Sequence, residues 1–234
     1  MTKLKEEITK LNYKSEIVKI IKDISGKYSP YQIFRDWCEC YAIAISNACT
    51  FHHHAVWKER EEKYKGIISK YDEKEVDALR NMTALYPMAL EDKITDLLGE
   101  IYMESGAGNS ATGQFFTPFH VSEMMARLQE HTIKEEYEKN GMIHLHEPSV
   151  GAGGMIIATA KVCKEMGINY QRKMKVVCQD LDWLAVYMTY IQISLLGING
   201  IVAQGDTLKE PYNPARDFDE RRILRTPANT GALI

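Results

Sequence analysis

Several features that would assign this chain to a simple class are missing from its 234 residues. No stretch approaches the about 18 consecutive apolar residues of a membrane-spanning helix, and the opening MTKLKEEITK has no apolar signal core. The 5 cysteines form no CxxC pair, which excludes a disulfide framework and a zinc ribbon. We therefore expect no membrane association and a reducing, cytoplasmic setting.

A dominant charge is also missing. The 29 basic and 32 acidic residues leave a net charge of -3, so the chain lacks the overall electrostatic footprint of a strong nucleic-acid binder. Internal repeats and low-complexity tracts are absent as well. With 45% hydrophobic and 26% charged residues, the chain suffices for one α/β core and a smaller helical part.

Three adjacent histidines, His52, His53 and His54, are the most obvious metal candidates. Consecutive residues of a helix point about 100° apart, so three neighbours do not easily form one metal-binding face. We interpret them as a surface cluster at a loop or helix end, and we predict no metal site.

The first part of the chain, residues 1–110, is typical of helices that dock on a second domain. Apolar residues recur at helical spacing from Ile8 to Ile24. Ser29 and Pro30 then form a typical cap and first position of a second helix, which carries apolar residues on nearly every side. The pattern predicts a buried helix there.

The most informative stretch is 143–161, IHLHEPSVGAGGMIIATAK, in which an apolar run ends in a small-residue turn that opens into an apolar helix. Gly151, Gly153 and Gly154 allow a tight turn and a close approach to a ligand, and the helix N-terminus favours anionic groups. Glu147 stands where the strand ends and would point at that ligand. A purely structural strand-to-helix turn gives the same pattern, so the turn alone leaves both interpretations open.

Two further short strands favour the cofactor interpretation. One is predicted over 176–179 and ends in Asp180, and the other over 201–203 is closed by Asp206. The apolar segment 181–200 between them has helical spacing. This succession predicts parallel pairing with right-handed crossovers, and ligands collect at the carboxyl ends of such strands, where the acidic residues fall.

Four ordered motifs, with a fifth just upstream, resemble the N6-adenine DNA methylases of the type I restriction-modification M-subunit group. The fifth is DLLGEIYM (96–103), and the four are GQFFTPFHV (113–121), EPSVGAGG (147–154), QDLD (179–182) and GDTL (205–208). The resemblance is closest to short orphan methylases of phages and mobile elements. It implies a Rossmann-like α/β methyltransferase sheet, S-adenosylmethionine as cofactor and DNA as partner.

The resemblance also implies a division of the chain. A helical N-terminal region would span 1–110, an S-adenosylmethionine-binding α/β domain 111–208, and an irregular C-terminal tail 209–234.

The resemblance implies a role for each motif residue. Thr117 would hold the methionine carboxylate of the cofactor, and Asp180 would accept hydrogen bonds from the ribose hydroxyls. Leu181 would pack on the adenine ring, and Asp206 would accept from its exocyclic amine. The remaining cofactor-binding candidates shape the wall around Thr117 or receive the amino-acid part: Gln114, Phe115, Phe116, Pro118, Glu147, Pro148, Ser149, Gly151, Gly153 and Gly154.

The chain departs from the family pattern at two places. EPSVGAGG stands where the family usually has DPxxGSGG. Glutamate in place of aspartate lengthens the acidic side chain by one methylene, whereas the glycines that shape the turn are kept. The Asn/Asp-Pro-Pro-aromatic motif that holds the target amine in such methylases is absent from the sequence. The nearest strings are YNPAR (212–216) and TPANTG (226–231). Asn213-Pro214 follows Asp206 too closely for an intervening helix and strand, so we weigh it as a degenerate catalytic motif against a solvated turn.

The tail 209–234 contains three prolines and only Arg222-Ile223-Leu224 as a short apolar-containing run. It therefore lacks the continuous apolar pattern of a buried fourth strand, and the first strand would keep an exposed edge. We expect the tail to fold over that edge, or a second subunit to cover it in a homodimer or a complex with a specificity subunit.

Three functions remain at this point. The first is an S-adenosylmethionine-dependent, adenine-specific (N6) DNA methyltransferase of the restriction-modification type. The second is a catalytically silent, cofactor-binding subunit with a structural or regulatory role, which the missing tetrapeptide supports. The third is a small-molecule methyltransferase, because a fold does not fix a substrate. GQFFTP argues against this third function, because it resembles the DNA-amine group in particular.

Overall fold

The structure is a computed structural model that describes residues 12–49, 54–108, 115–213, 215–216 and 218–231. Seven helices precede the sheet: α1 (Tyr13–Asp23), α2 (Pro30–Cys49), α3 (His54–Ile68), α4 (Glu73–Asp92), α5 (Leu97–Glu104), α6 (Phe119–Leu128) and α7 (Glu130–Asn140). The sheet region contains β1 (Ile143–Glu147), α8 (Gly154–Glu165), α9 (Tyr170–Lys173), β2 (Met174–Asp180), α10 (Trp183–Leu195) and β3 (Asn199–Gln204). A 3-10 turn (Glu220–Arg222), β4 (Ile223–Arg225) and α11 (Pro227–Thr230) follow.

The predicted buried helix is α2. It begins at Pro30, and the Ser29 hydroxyl accepts a hydrogen bond from the Gln32 amide at 3.2 Å, which confirms the predicted start. Phe34 and Trp37 lie in the core, where their rings contact Tyr102 of α5 and Tyr86 of α4. The same helix also packs against α10 and α3. This contact joins the helical region and the sheet into one hydrophobic core.

Three parallel strands and one antiparallel strand form the sheet, in the order β1-β2-β3-β4. The predicted strands are confirmed, and both extend beyond the apolar runs that predicted them. β2 continues to Asp180, and β3 begins at Asn199, which the sequence pattern had placed at the end of the preceding helix. α8 and α10 connect successive parallel strands, which confirms the Rossmann-like α/β class.

The two faces of this sheet are covered very differently. On one face, Met174, Val176 and Cys178 are almost completely buried. On the other, Lys175 is exposed and Val177 is only half-buried. Parallel sheets usually carry helices on both faces. Within the described part of the chain, the second face is covered mainly by a loop, which contributes Tyr212 and Phe218 to a small cluster with Ala203 and Ile223.

The expectation that the tail covers the edge of β1 is wrong for the described residues. Ile223 and Leu224 pair instead with β3, at the opposite edge, and both side chains are buried there. This short apolar run is sufficient because an edge strand pairs with only one neighbouring strand, here β3. At the β1 edge, the His144 amide donates to the Glu136 side chain at 3.1 Å, which covers part of it.

No helix in the described ranges is long and apolar enough to cross a bilayer.

Candidate functional site

The turn between β1 and α8 has the backbone that its sequence predicts. Gly151 and Gly153 have φ angles of 57° and 96°, in the left-handed region that side chains other than glycine rarely adopt. The Val150 amide donates to the Gln179 carbonyl at 3.0 Å, which fastens the turn to the end of β2. The Gly154 position then begins α8 with its free amides directed at the turn.

Asp180 lies beside this turn and organises it. One carboxylate oxygen accepts from the Gly151 amide at 2.9 Å, and the other accepts from the Asp182 amide at 3.0 Å. Each oxygen retains a second acceptor direction, so the same carboxylate can also receive ribose hydroxyls. The next residue, Leu181, is 67% exposed, as expected of an apolar side chain available to a ligand.

Glu147 ends β1 and is half-buried next to the turn. Burial raises the pKa of its carboxyl group, and the nearby charge of Asp180 acts in the same direction. The Ser149 amide, which donates to Glu147 Oε1 at 3.4 Å, offsets part of this effect. The structure therefore places two acidic side chains together at the carboxyl ends of β1 and β2.

The segment after β3 closes a third side of the turn. The Thr207 hydroxyl donates to the Pro148 carbonyl at 2.7 Å, so the loop that carries Asp206 is joined directly to the turn. Burial acts to raise the pKa of Asp206, but hydrogen bonds from Lys209 and the Leu208 amide outweigh it and hold that pKa below its ordinary value. Asp206 is therefore an anion that faces solvent beside the turn.

The 115–118 segment lies on the α5 side of the turn. The Phe116 ring packs edge-on against Tyr102 at 5.1 Å, and it would come within 3.3 Å of any Cβ at Gly151. Phe115 is 68% exposed. Thr117 and Pro118 line a cavity of about 420 Å³ together with Phe116. The Gln114 candidate lies outside the described residues.

Glu147, Asp180, Leu181 and Asp206 are not among the residues that line this cavity. The predicted residues therefore form two groups, one at the strand ends and one in the cavity wall. The glycine turn lies between them, because Gly151 contacts both Asp180 and Phe116.

Sequence reasoning missed a buried network behind the turn. The Gln192 side-chain amide donates to the Ala152 carbonyl and to Asp96 Oδ1, both at 2.7 Å. Its oxygen accepts from the Leu98 amide at 3.2 Å and from the Tyr86 hydroxyl at 3.1 Å. A polar residue within the apolar 181–200 helix is the signal that could have revealed it, because a buried amide must find partners.

A close helix contact lies behind the first residue of α8. Gly154 has no Cβ, and an atom added there would lie only 3.1 Å from Ser122 Oγ. That hydroxyl is fully buried and has no hydrogen-bond partner in the described part of the chain. Glycine at this position therefore allows α6 and α8 to pack closely together.

The weak catalytic candidate Asn213 lies elsewhere. Its side chain is exposed and accepts from the Ala215 amide at 2.9 Å, as in a solvated turn. It lines a groove on the open face of the sheet with His144, Lys175 and Asn199, which belong to the beginnings of the strands. Pro214 lies outside the described residues.

The ranges that the structure describes contain no cluster of histidine, cysteine or acidic residues suited to a metal ion. His52 and His53 lie outside those ranges.

Fold and geometry together define a Rossmann-like domain whose candidate site is a glycine turn beside strand-end carboxylates. Residues 93–222 match the sequence model of the N-6 DNA methylase family, and the chain belongs to that family. This confirms the resemblance to N6-adenine DNA methylases and S-adenosylmethionine as the cofactor. No curated protein matches the chain.

A solved structure from Listeria monocytogenes, described as a class I S-adenosylmethionine-dependent methyltransferase, is similar with a TM-score of 0.45 and 8% identity. The similarity covers 88% of this chain and 56% of that one, so the chain spans little more than half the length of that protein.

Proposed function

We propose that this protein is an adenine-specific (N6) DNA methyltransferase of the restriction-modification type. The observation that supports the proposal is the junction of the motif segments at one turn. Asp180 holds the Gly151 amide, Thr207 holds the Pro148 carbonyl, and Phe116 packs against Gly151. Segments far apart in the chain thereby meet at one turn, which supports a single donor position beside it.

The cofactor supplies a methyl group activated by its sulfonium. The chain's own residues position it: Asp180 accepts from the ribose, Leu181 covers the adenine and Thr117 binds the methionine carboxylate. Glu147 and the loop of Pro148 and Ser149 border the amino-acid part. With the donor held in this way, catalysis consists mainly of orientation and the exclusion of water. The target adenine must be turned out of the duplex to reach the methyl group.

The test combines purified protein, labelled S-adenosylmethionine and unmethylated genomic DNA. Nucleoside analysis of the digested DNA is expected to show label in N6-methyladenine, and none with the Asp180→Ala variant. Donor binding measured in parallel separates the alternatives. A protein that binds the donor but transfers no methyl group to DNA, at any concentration, contradicts the enzyme proposal.

A specific observation favours the second function, a donor-binding subunit without catalysis of its own. The sequence contains no Asn/Asp-Pro-Pro-aromatic tetrapeptide, and Asn213 lines a groove on the open face of the sheet rather than the cavity that Thr117 lines. Donor binding without transfer is the result that this alternative predicts.

The uncovered β1 edge supports a further part of the proposal, that a second subunit completes the sheet. In the described part of the chain, Glu136 covers the His144 amide, and no strand pairs with the outer edge of β1. A homodimer or a complex with a specificity subunit would satisfy the remaining backbone groups. Light scattering on the purified chain is expected to show a dimer, or a complex once the partner is added. A monomer under both conditions contradicts this part.

A further inference from the structure

Helix α6 exposes a cluster of large apolar side chains on the side that faces away from α8. Ser122 and Ala126 are buried where α6 packs against α8. On the opposite side, Met124, Met125 and Leu128 are 56%, 42% and 79% exposed. Single exposed apolar residues are common on protein surfaces, but a cluster of them on one helix indicates an interaction surface.

The cluster has the spacing of a helix-to-helix contact. Together with one half-buried neighbour, its members stand at positions i, i+3, i+4 and i+7, which lie along one side of a helix. We call these four residues the α6 stripe: Val121, Met124, Met125 and Leu128. The charge of Arg127 next to the stripe is already paired, with Glu123 at 2.8 Å and with Glu165 at 2.7 Å. A partner helix can therefore cover the stripe without burying an unpaired arginine.

The α6 stripe is symmetric about the midpoint between Met124 and Met125. A second α6 that runs antiparallel across a two-fold axis at this midpoint would place Met124 against Met125 of the partner subunit. The same axis would place Val121 against Leu128 of the partner subunit. Such a contact uses the same surface on both copies, so it closes as a dimer and does not extend into a chain.

The charges at the two ends of the stripe favour the antiparallel arrangement. Lys93 and His120 line the same cavity at the beginning of α6, and both are exposed. Neither side chain has an ion-pair or hydrogen-bond partner within the described residues. Glu130 and Glu135 follow the other end of the stripe, in α7. An antiparallel pair brings the basic end of each copy to the acidic end of the other and opposes the two helix dipoles, whereas a parallel pair joins like charges.

We propose that the α6 stripe is a dimer contact, on which a second copy of this chain packs its own α6 in the antiparallel direction. This surface is separate from the outer edge of β1, and the contact does not depend on methyl transfer. Because α6 begins next to Thr117 and Pro118, the cavities that these residues line would lie at opposite ends of one helix pair.

The expected dimer is weak. A contact between two single helices is smaller than the about 1,200 Å² at which stable protein interfaces begin. We therefore expect a concentration-dependent equilibrium with a Kd on the order of 10 μM. Sedimentation equilibrium of the full chain, without DNA or donor, measures it over about 1 to 200 μM.

A charge placed in the stripe tests the contact. Met124→Glu introduces a carboxylate into the apolar contact twice in each dimer, so we expect the Kd to rise at least about 100-fold. Met88→Glu is the matched control, because Met88 is 44% exposed on another helix, α4. The control should change the Kd by less than about twofold. Both variants replace exposed side chains, so thermal melting should show a folded protein in each case.

A pair of complementary variants tests the antiparallel direction. Met125→Lys alone should also be monomeric, because it places an ammonium in the contact. An equimolar mixture of Met124→Glu and Met125→Lys should associate at least about tenfold more tightly than either variant alone, because the carboxylate of one chain then faces the ammonium of the other.

A wild-type chain that stays monomeric over the whole concentration range would overturn the proposal. So would a dimer that Met124→Glu and Met125→Lys leave intact, since self-association would then belong to another surface, such as the β1 edge. A mixture that associates no better than its components would exclude the antiparallel contact. If Met124→Glu does not fold, Met125→Lys against Met88→Glu decides the location of the contact. A dimer that transfers no methyl group to DNA would defeat the proposed function and leave this inference standing.

Discussion

Two connecting segments that contain proline, 148–154 and 209–222, are held in contrasting ways. Buried residues fasten the first from several sides, with hydrogen bonds from Thr189 and Gln192 to its carbonyls at 2.8 and 2.7 Å. In the second, the buried Gln179 side chain bonds the Glu210 carbonyl at 2.9 Å and the Tyr212 amide at 2.8 Å. Farther along that segment, Arg221 and Arg222 pair with Asp219 and Glu210 at partly exposed positions. Exposed ion pairs contribute at most about 1 kcal/mol each. The glycine turn is therefore fastened by buried groups along its length, whereas the second segment has buried hydrogen bonds at 210–212 and mainly exposed pairs after that.

The largest predicted loss of stability follows from removing the Gln192 hydrogen bonds behind the glycine turn. Gln192→Leu leaves the Ala152 carbonyl, the Leu98 amide and the Tyr86 hydroxyl without this partner in the core, so we expect a loss of about 3 kcal/mol in the free energy of unfolding, measured in urea. Gln171→Leu is the matched control, because the Gln171 amide makes one bond, to the Leu196 carbonyl at 3.0 Å, from an exposed position. Equal effects would show that the turn is not specially supported.

A substitution within the turn tests its glycine requirement. Gly153→Ala forces an alanine to a φ of 96° and brings its Cβ to 3.1 Å from Thr189 Oγ1. We expect a loss of about 2 kcal/mol. Gly167 has a φ of 78° but no neighbouring atoms within 4 Å, so Gly167→Ala should cost only about 1 kcal/mol of backbone strain. Identical losses in urea unfolding would exclude any crowding at Gly153.

The pH dependence of stability reports on Glu147. Because burial raises its pKa in the folded chain, the contribution of Glu147 is fully present below the unfolded pKa, near 4.5, and is lost as the pH rises through the folded value. Glu147→Gln should therefore be more stable than the wild type near neutral pH. This gain should disappear in acid, as measured by urea midpoints across the range. A variant that is less stable at neutral pH would indicate that the charged form is favoured.

The smallest effect is expected in the second segment. Asn213→Ala removes one solvated turn bond, so the loss of stability should stay below about 0.5 kcal/mol, and donor binding should not change. A large loss of methyl transfer without a loss of donor binding would instead identify Asn213 as part of the base-holding machinery.

Much of this arrangement could be predicted from sequence. The parallel strands, the glycine turn and the position of Asp180 follow from local periodicity and from the backbone freedom of glycine. The start of α2 follows from the Ser29-Pro30 cap. Each of these signals is carried by neighbouring residues.

Non-local features could not be predicted in this way. Asp96 and Ser122 meet beside Gly154 only because α5, α6 and α8 pack together, and nothing near either residue indicates it. The pairing of β4 with β3 was missed for the same reason, since three residues carry too little periodicity to choose between two sheet edges. Gln192 is intermediate, because its polarity within an apolar helix indicates a partner but not which one.

The central claim, that the glycine turn and Asp180 form a donor site, is tested most directly by calorimetric titration of S-adenosylmethionine into the wild type and Asp180→Ala. We expect binding of one donor per wild-type chain, and at least about tenfold weaker binding to the variant, because the variant loses both the ribose contact and the support of the Gly151 amide. A wild-type chain that does not bind the donor, or a variant that binds it equally well, would contradict the account.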